Sequence, residues 1–136
     1  MEIQVGRLID HLHLRVADLA ASRRFYDAVL GSLGLKLEPL TDRIWRADEF
    51  LISNVEPGGS TSRVHLAFQA RDRQQVDAFY RAALAAGGRD NGPPGERPYH
   101  PGYYACFLFD PDGSNIEAVY HGPSRRTAAA ITIEPV

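Results

Sequence analysis

A shift of 54 residues lays one stretch of this chain on another, and that internal repeat constrains the fold more than any other feature. His11-Leu12-His13-Leu14-Arg15-Val16-Ala17-Asp18 falls on His65-Leu66-Ala67-Phe68-Gln69-Ala70-Arg71-Asp72. Phe25-Tyr26 falls on Phe79-Tyr80, Ala28 on Ala82, Leu30 on Leu84 and Gly34 on Gly88, with no gap from His11 to Gly34. Amphipathic segments share apolar positions by accident, but they do not also share a histidine, an aspartate and a Phe-Tyr pair at one offset. The chain therefore divides into two copies of one unit, residues 7–60 and 61–122, followed by a tail at 123–136. Units this small need a common core, so all 136 residues are expected to form a single domain.

Each unit opens on a strand. Leu12, Leu14 and Val16 alternate with His11, His13 and Arg15, and Val64, Leu66, Phe68 and Ala70 alternate with His65, Ala67 and Gln69. This is the two-residue period of a strand with one buried face. An aspartate follows each, Asp18 and Asp72, able to accept hydrogen bonds from the free amides of a helix's first turn. Gln75 adds the spacing of a capping box. Leu19, Phe25, Tyr26, Val29 and Leu30 form one helical stripe, broken only by Ser22; Val76, Phe79, Tyr80, Ala83 and Leu84 form the other. Both Phe-Tyr pairs are assigned to the core. Gly31-Ser32-Leu33-Gly34 and Gly87-Gly88 stop the helices.

Strands are expected at 35–38, 43–46 and 50–55 in the first unit and at 103–109 and 115–121 in the second. The last two are joined by a turn at Asp110-Pro111-Asp112-Gly113. A Gly/Pro-rich loop is expected from Asn91 to Gly102, and one further strand at 130–133 in the tail. The plan is βαβββ, twice.

Composition narrows the partners. Fifteen basic and seventeen acidic residues leave a net charge of −2, whereas binding to phosphate backbones usually brings a basic excess, so no nucleic acid is expected. No apolar run is long enough to span a bilayer, so no membrane partner is expected either. The opening Met1–Val5 shows no basic region followed by a long apolar stretch; no secretory leader is expected, and the expected compartment is the cytoplasm. The single cysteine, Cys106, makes neither an internal disulfide nor a thiolate cluster, and its apolar strand marks it as a small inert hydrophobe.

The chemistry gathers on a few side chains. His11 and His65 hold the same place in two copies of one unit, so an approximate two-fold axis brings their strands and side chains toward a shared space. A carboxylate on that face completes a site, and Glu117 is the best candidate, because an acid in mid-strand among Ile116, Ala118 and Val119 is costly unless partnered. Two histidines and one carboxylate leave coordination positions open for a substrate. His13 shares the face of His11, where it either lines the cavity, offers a hydrogen bond to a ligand, or is structural. In the Gly/Pro loop and the strand after it, His100 and Tyr104 are candidates for acid/base work or substrate hydrogen bonds.

The segment Asp10–Tyr26 and the closing Asp110-Pro111-Asp112-Gly113-Ser114-Asn115-Ile116-Glu117 resemble the vicinal oxygen chelate superfamily, which holds glyoxalase I, extradiol dioxygenases, fosfomycin-resistance enzymes and bleomycin-resistance proteins. The resemblance runs over about residues 8–122. It implies an α+β fold in which two tandem βαβββ modules form a curved, partly open, barrel-like sheet. It also implies a divalent metal ion (Fe, Mn, Ni or Zn, not distinguished) held by His11, His65 and Glu117. Glyoxalase I uses a second glutamate on the last strand of its first module; the nearest residue here is Ser53, with Asn54 and Glu56 beside it. A serine supplies no carboxylate base, so a three-ligand site looks more like the dioxygenase or thiol-transferase branches.

The expected function is metal-dependent chemistry on a small-molecule substrate that chelates through adjacent oxygens: isomerase or lyase, dioxygenase, or thiol transfer. The alternative is a metal-free drug-binding protein of the bleomycin-resistance type, and a third reading is a structural or regulatory dimer. A homodimer is expected in each case, because open sheets expose edges and modules of this family pair either within a chain or between exchanged chains.

Overall fold

The computed structural model describes residues 3–5 and 7–136. In chain order the elements are β1 (Ile3–Val5), β2 (Leu12–Val16), α1 (Leu19–Ser32), β3 (Glu38–Pro39), β4 (Ile44–Ala47) and β5 (Phe50–Asn54). There follow β6 (His65–Gln69), α2 (Arg73–Ala85), β7 (Arg89–Glu96), β8 (Tyr104–Phe109), β9 (Asn115–Tyr120) and β10 (Ile131–Ile133). Two four-stranded sheets have the same order, β2-β5-β4-β3 and β6-β9-β8-β7, each with one parallel pair (β2 with β5, β6 with β9) and antiparallel pairs elsewhere. This is the α+β plan of two tandem βαβββ modules, with a curved and unclosed sheet.

Both helices start where their aspartates stand. Asp18 accepts from the amide of Ala21 at 3.1 Å and Asp72 from that of Gln75 at 2.7 Å. The Gln75 side chain turns to the amide of Arg71 instead of closing a capping box on Asp72. Gly34 and Gly87, at φ +80° and +93°, let the chain leave each helix through the left-handed region.

One core serves both modules. Leu14, Phe25, Tyr26 and Ile52 of the first join Val76, Phe79, Leu108 and Ile116 of the second, and the Phe50 and Phe68 rings meet at 5.5 Å between centroids. Tyr26, fully buried, donates to the Asp110 carboxylate at 2.6 Å across the module boundary. Burial first, and then the Asp110 charge, pushes this phenol well above its usual range, so it remains a donor. Asp110 also accepts from the amides of Asp112 and Ser114, which fixes the turn into β9. Cys106 is buried in the same core, where desolvation pushes its thiol up to about 12, in keeping with an inert role.

Some expectations need correcting. The expected loop from Asn91 to Gly102 is strand as far as Glu96. β7 runs through Gly92, Pro93, Pro94 and Gly95 because it is the outer strand of its sheet and shifts register at Asp90/Gly92 and Gly92/Gly95, so missing amides interrupt nothing. Of the strand expected at 35–38, only Glu38 pairs, with Arg46 of β4, and the ladder runs on to Pro39 opposite Trp45. The core tyrosine expected at position 80 lies at the margin, donating to Asp90 at 2.9 Å. The tail strand packs on neither four-stranded sheet; β10 pairs antiparallel with β1 as a separate ribbon. Among the described residues no helix is long and apolar enough to cross a membrane.

Candidate functional site

In each module the first strand turns one face to the shared core, through Leu12, Leu14 and Val16 or Leu66, Phe68 and Ala70. Strand alternation therefore turns the histidine-bearing faces away from that core. The two faces carry related geometry and different chemistry.

In the second module β6 lies parallel to β9 with Ala67 opposite Glu117 and His65 opposite Asn115. The His65 ring leans along the diagonal and its Nε2 meets Glu117 Oε1 at 2.8 Å. Glu117 is only 2% exposed, while the His65 side chain is 56% exposed. The other carboxylate oxygen of Glu117 accepts from the Tyr103 hydroxyl. Burial first, and then the bond to Glu117 and its charge, raises that phenol well above its ordinary range, so Tyr103 keeps its proton at neutral pH. Phe107 floors the site, 6.0 Å from the His65 ring, and Arg97 lies over Phe107 with its guanidinium held by the Pro93 carbonyl at 2.7 Å.

His100 and His121 stand at the end of this face. Their rings stack with 5.1 Å between centroids, and His100 Nε2 meets His121 Nδ1 at 2.9 Å. His100 Nδ1 faces the Pro101 carbonyl at 2.9 Å; a carbonyl only accepts, so Nδ1 carries hydrogen, and in the neutral ring Nε2 then accepts from His121. Both rings meet Tyr103 edge-on, at 5.3 Å. Gly102 and Gly122, at φ +85° and +86°, cross close beneath them: a Cβ on Gly102 would lie 3.3 Å from the Gly122 Cα.

In the first module β2 lies parallel to β5, with His13 opposite Leu51 and Arg15 opposite Ser53. His13 Nε2 meets Ser53 Oγ at 2.8 Å, along the diagonal that joins His65 to Glu117. Arg15 Nη1 donates to the same oxygen at 2.9 Å. Burial, with Arg15 and His11 adding to it, holds His13 below the usual histidine range. The His13–Ser53 bond thus crosses its ladder in the same sense as the His65–Glu117 bond, each ring reaching the residue two beyond its paired one. The helix caps Asp18 and Asp72 stand at the same 54-residue shift that lays His11 on His65, and His13 lies on the face of His11 two residues nearer its helix.

The candidate ligands are thus placed unequally. His65 and Glu117 are brought together. His11 is exposed and its Nδ1 meets Asp10 Oδ1 at 2.6 Å. Among the described residues no group of three or more His, Cys, Asp or Glu side chains gathers as a metal holder. Tyr104 points to the helix side, where its hydroxyl donates to Asp77 at 2.7 Å and Arg73 covers its ring at 4.6 Å. The hydroxyl that reaches Glu117 belongs to its neighbour Tyr103, to which the sequence alone assigns no role. The alternation of β8 against a buried acid on β9 is the signal that singles it out.

Comparisons with known proteins agree with this architecture. The family model described as Glyoxalase/Bleomycin resistance protein/Dioxygenase superfamily matches residues 8–118. The uncharacterized protein YqjT of Bacillus subtilis (strain 168) is 36% identical over an alignment covering 80% of this chain and 95% of the relative. A glyoxalase/bleomycin resistance protein from Albidiferax ferrireducens T118, known by its crystal structure, is 34% identical with a TM-score of 0.68, covering 81% of this chain and 95% of its own. The structure of lactoylglutathione lyase from Agrobacterium tumefaciens, at 20% identity and a TM-score of 0.61, covers 84% of this chain and 93% of its own and shares the fold. With the βαβββ duplication, the capped helices and the matched span in agreement, this chain belongs to the Glyoxalase/Bleomycin resistance protein/Dioxygenase superfamily.

Proposed function

We propose that this protein is a metal-dependent enzyme acting on a small substrate that offers two adjacent oxygens, and that His65, Glu117 and His11 hold the divalent cation. The observation that carries the reading is the His65–Glu117 pair: a carboxylate 2% exposed, turned to an imidazole that is itself open to solvent. Burying an acid costs several kcal/mol unless the site compensates it. A nitrogen and an oxygen donor meeting at an open face is an arrangement suited to Fe, Mn, Ni or Zn. A bound cation would stabilise negative charge on the substrate oxygens.

The chain's own residues have separate tasks. Glu117 supplies the anionic donor, and Tyr103 fixes its orientation. Phe107, with the Arg97 guanidinium over its ring, flanks one side of His65. His100 takes the acid/base role at the edge of the face only when its bond to His121 opens, since Pro101 holds its Nδ1. The third ligand comes from a second copy of this chain. His11 and the His65–Glu117 pair do not gather within one chain, and both lie on faces turned away from the core, where a second copy in a homodimer can seat its first module.

Metal analysis of full-length protein purified without chelator tests this. His65→Ala, Glu117→Ala and His11→Ala should each lose the cation and keep a cooperative thermal transition; unchanged occupancy in any of them overturns the ligand set. Refolding His11→Ala together with Glu117→Ala should restore roughly a quarter of the wild-type content, because only mixed dimers carry one intact site. No recovery overturns the exchanged arrangement.

A metal-free binding protein is the second reading. It is favoured by the fact that both Glu117 oxygens already find protein donors, His65 and Tyr103. Wild-type protein that takes up no Fe, Mn, Ni or Zn on dialysis would select it.

A further inference from the structure

The first module's face has a chemistry of its own, fixed by hydrogen accounting at Ser53. Its side chain is buried, 3% exposed, and its Oγ has two neighbours, Arg15 Nη1 at 2.9 Å and His13 Nε2 at 2.8 Å. A guanidinium only donates, so Arg15 occupies one lone pair of the hydroxyl. The single hydroxyl hydrogen then needs an acceptor, and His13 Nε2 is the one in reach. If that nitrogen donated instead, the serine hydrogen would be left buried and unpaired, at a cost of about 1–3 kcal/mol. The arrangement is therefore Arg15 to Ser53 to His13, which puts the imidazole hydrogen of His13 on Nδ1.

What this leaves outward is all of one kind: the Nδ1–H of His13 and the remaining N–H groups of the Arg15 guanidinium. Neither has another hydrogen-bond partner among the described residues. The backbone amide of Arg15 is held by Ser62 Oγ at 2.8 Å, so the strand presenting these donors is fixed. Arg15 and Ser53 border a cavity of about 360 Å³ that Asp42, Arg43 and Glu56 also line. The cationic and anionic side chains there balance, so no net field draws a ligand in; the direction of the unpaired donors makes the selection.

We infer that His13, Arg15 and Ser53 form a carboxylate-binding site, and that the ligand of this protein is a small oxyacid whose carboxylate docks there. A planar acceptor-only group matches the guanidinium fork that the His13–Ser53 bond orients; a neutral amide of the same shape would set donors against donors. The inference rests on the proposed function only in taking that oxyacid to be the molecule acted on. It gives Ser53 a positive task at the position where glyoxalase I carries a carboxylate: a glutamate there would repel the anion that this chain admits.

The test is calorimetric titration of full-length, EDTA-stripped protein with malonate, its neutral isostere malonamide, and inorganic phosphate. Malonate should bind and malonamide should not. Arg15→Gln should weaken malonate at least about tenfold, the loss expected for a charge-assisted hydrogen bond, and Arg15→Lys should recover part of it. Equal binding of malonate and malonamide, or Arg15→Gln with undiminished affinity, overturns the inference. Phosphate binding tighter than malonate, and lost alike in Arg15→Gln, assigns the site to a phosphoryl group and overturns the carboxylate choice. Arg15 is exposed, and an unchanged thermal midpoint shows that its replacement has not disturbed the fold. Metal content is measured separately, so failure here and failure of the metal reading are told apart.

Discussion

The two modules share a backbone plan and differ at one diagonal. In the second, an imidazole meets a buried carboxylate, His65 to Glu117, with Tyr103 supplying a further donor. In the first, the same diagonal joins His13 to a buried hydroxyl, Ser53, with Arg15 supplying the further donor. One face is built around an anion of its own, and the other offers hydrogens to an anion from outside. Duplication preserved what the core demands, the capped helix and the strand parity, and left free the outward position that decides chemistry.

That contrast can be tested directly. The largest effect should come from metal analysis of Glu117→Ala beside Ser53→Ala: the first empties the site, the second leaves occupancy at the wild-type level. Equal loss in both would erase the distinction between the faces. A smaller effect separates the repeat-related tyrosines. Tyr26→Phe removes a buried donor from Asp110 and should cost about 1–3 kcal/mol in denaturant unfolding. Tyr80→Phe, whose hydroxyl bonds Asp90 at the surface, should leave the midpoint unmoved. A matching loss for Tyr80 would mean that the second helix is anchored as the first is. The smallest expected effect concerns what the modules share: Asp18→Ala and Asp72→Ala should each cost about 1 kcal/mol, since each caps its helix through one amide. Unequal losses would show that one helix leans on its cap more than the other.

The sequence displayed the parts of this structure that periodic burial controls. Both helices, their caps, the Asp110–Gly113 turn and the two βαβββ units follow from apolar spacing and from residues with one strong local use. His65 and Glu117 were legible because an acid among Ile116, Ala118 and Val119 has to be accounted for. His13 shares the face of His11, and only the fold shows that its ring reaches Ser53. Tyr103 and Tyr104 are adjacent, and neither residue by itself tells which hydroxyl turns toward Glu117 and which toward Asp77. β7 was concealed by Gly92, Pro93, Pro94 and Gly95, residues that end a central strand and are harmless in an outer one.

That outer position has a consequence for how the protein behaves in a crowd of its own kind. The first sheet ends on Glu38–Pro39, two residues long, and the second on a strand with two consecutive prolines and two interruptions of register. Neither rim offers the unbroken row of amides and carbonyls on which a foreign strand could zip. The molecule is thus protected from ribbon-like self-templating at the far rim of each sheet, and copies that associate in an orderly way must do so elsewhere.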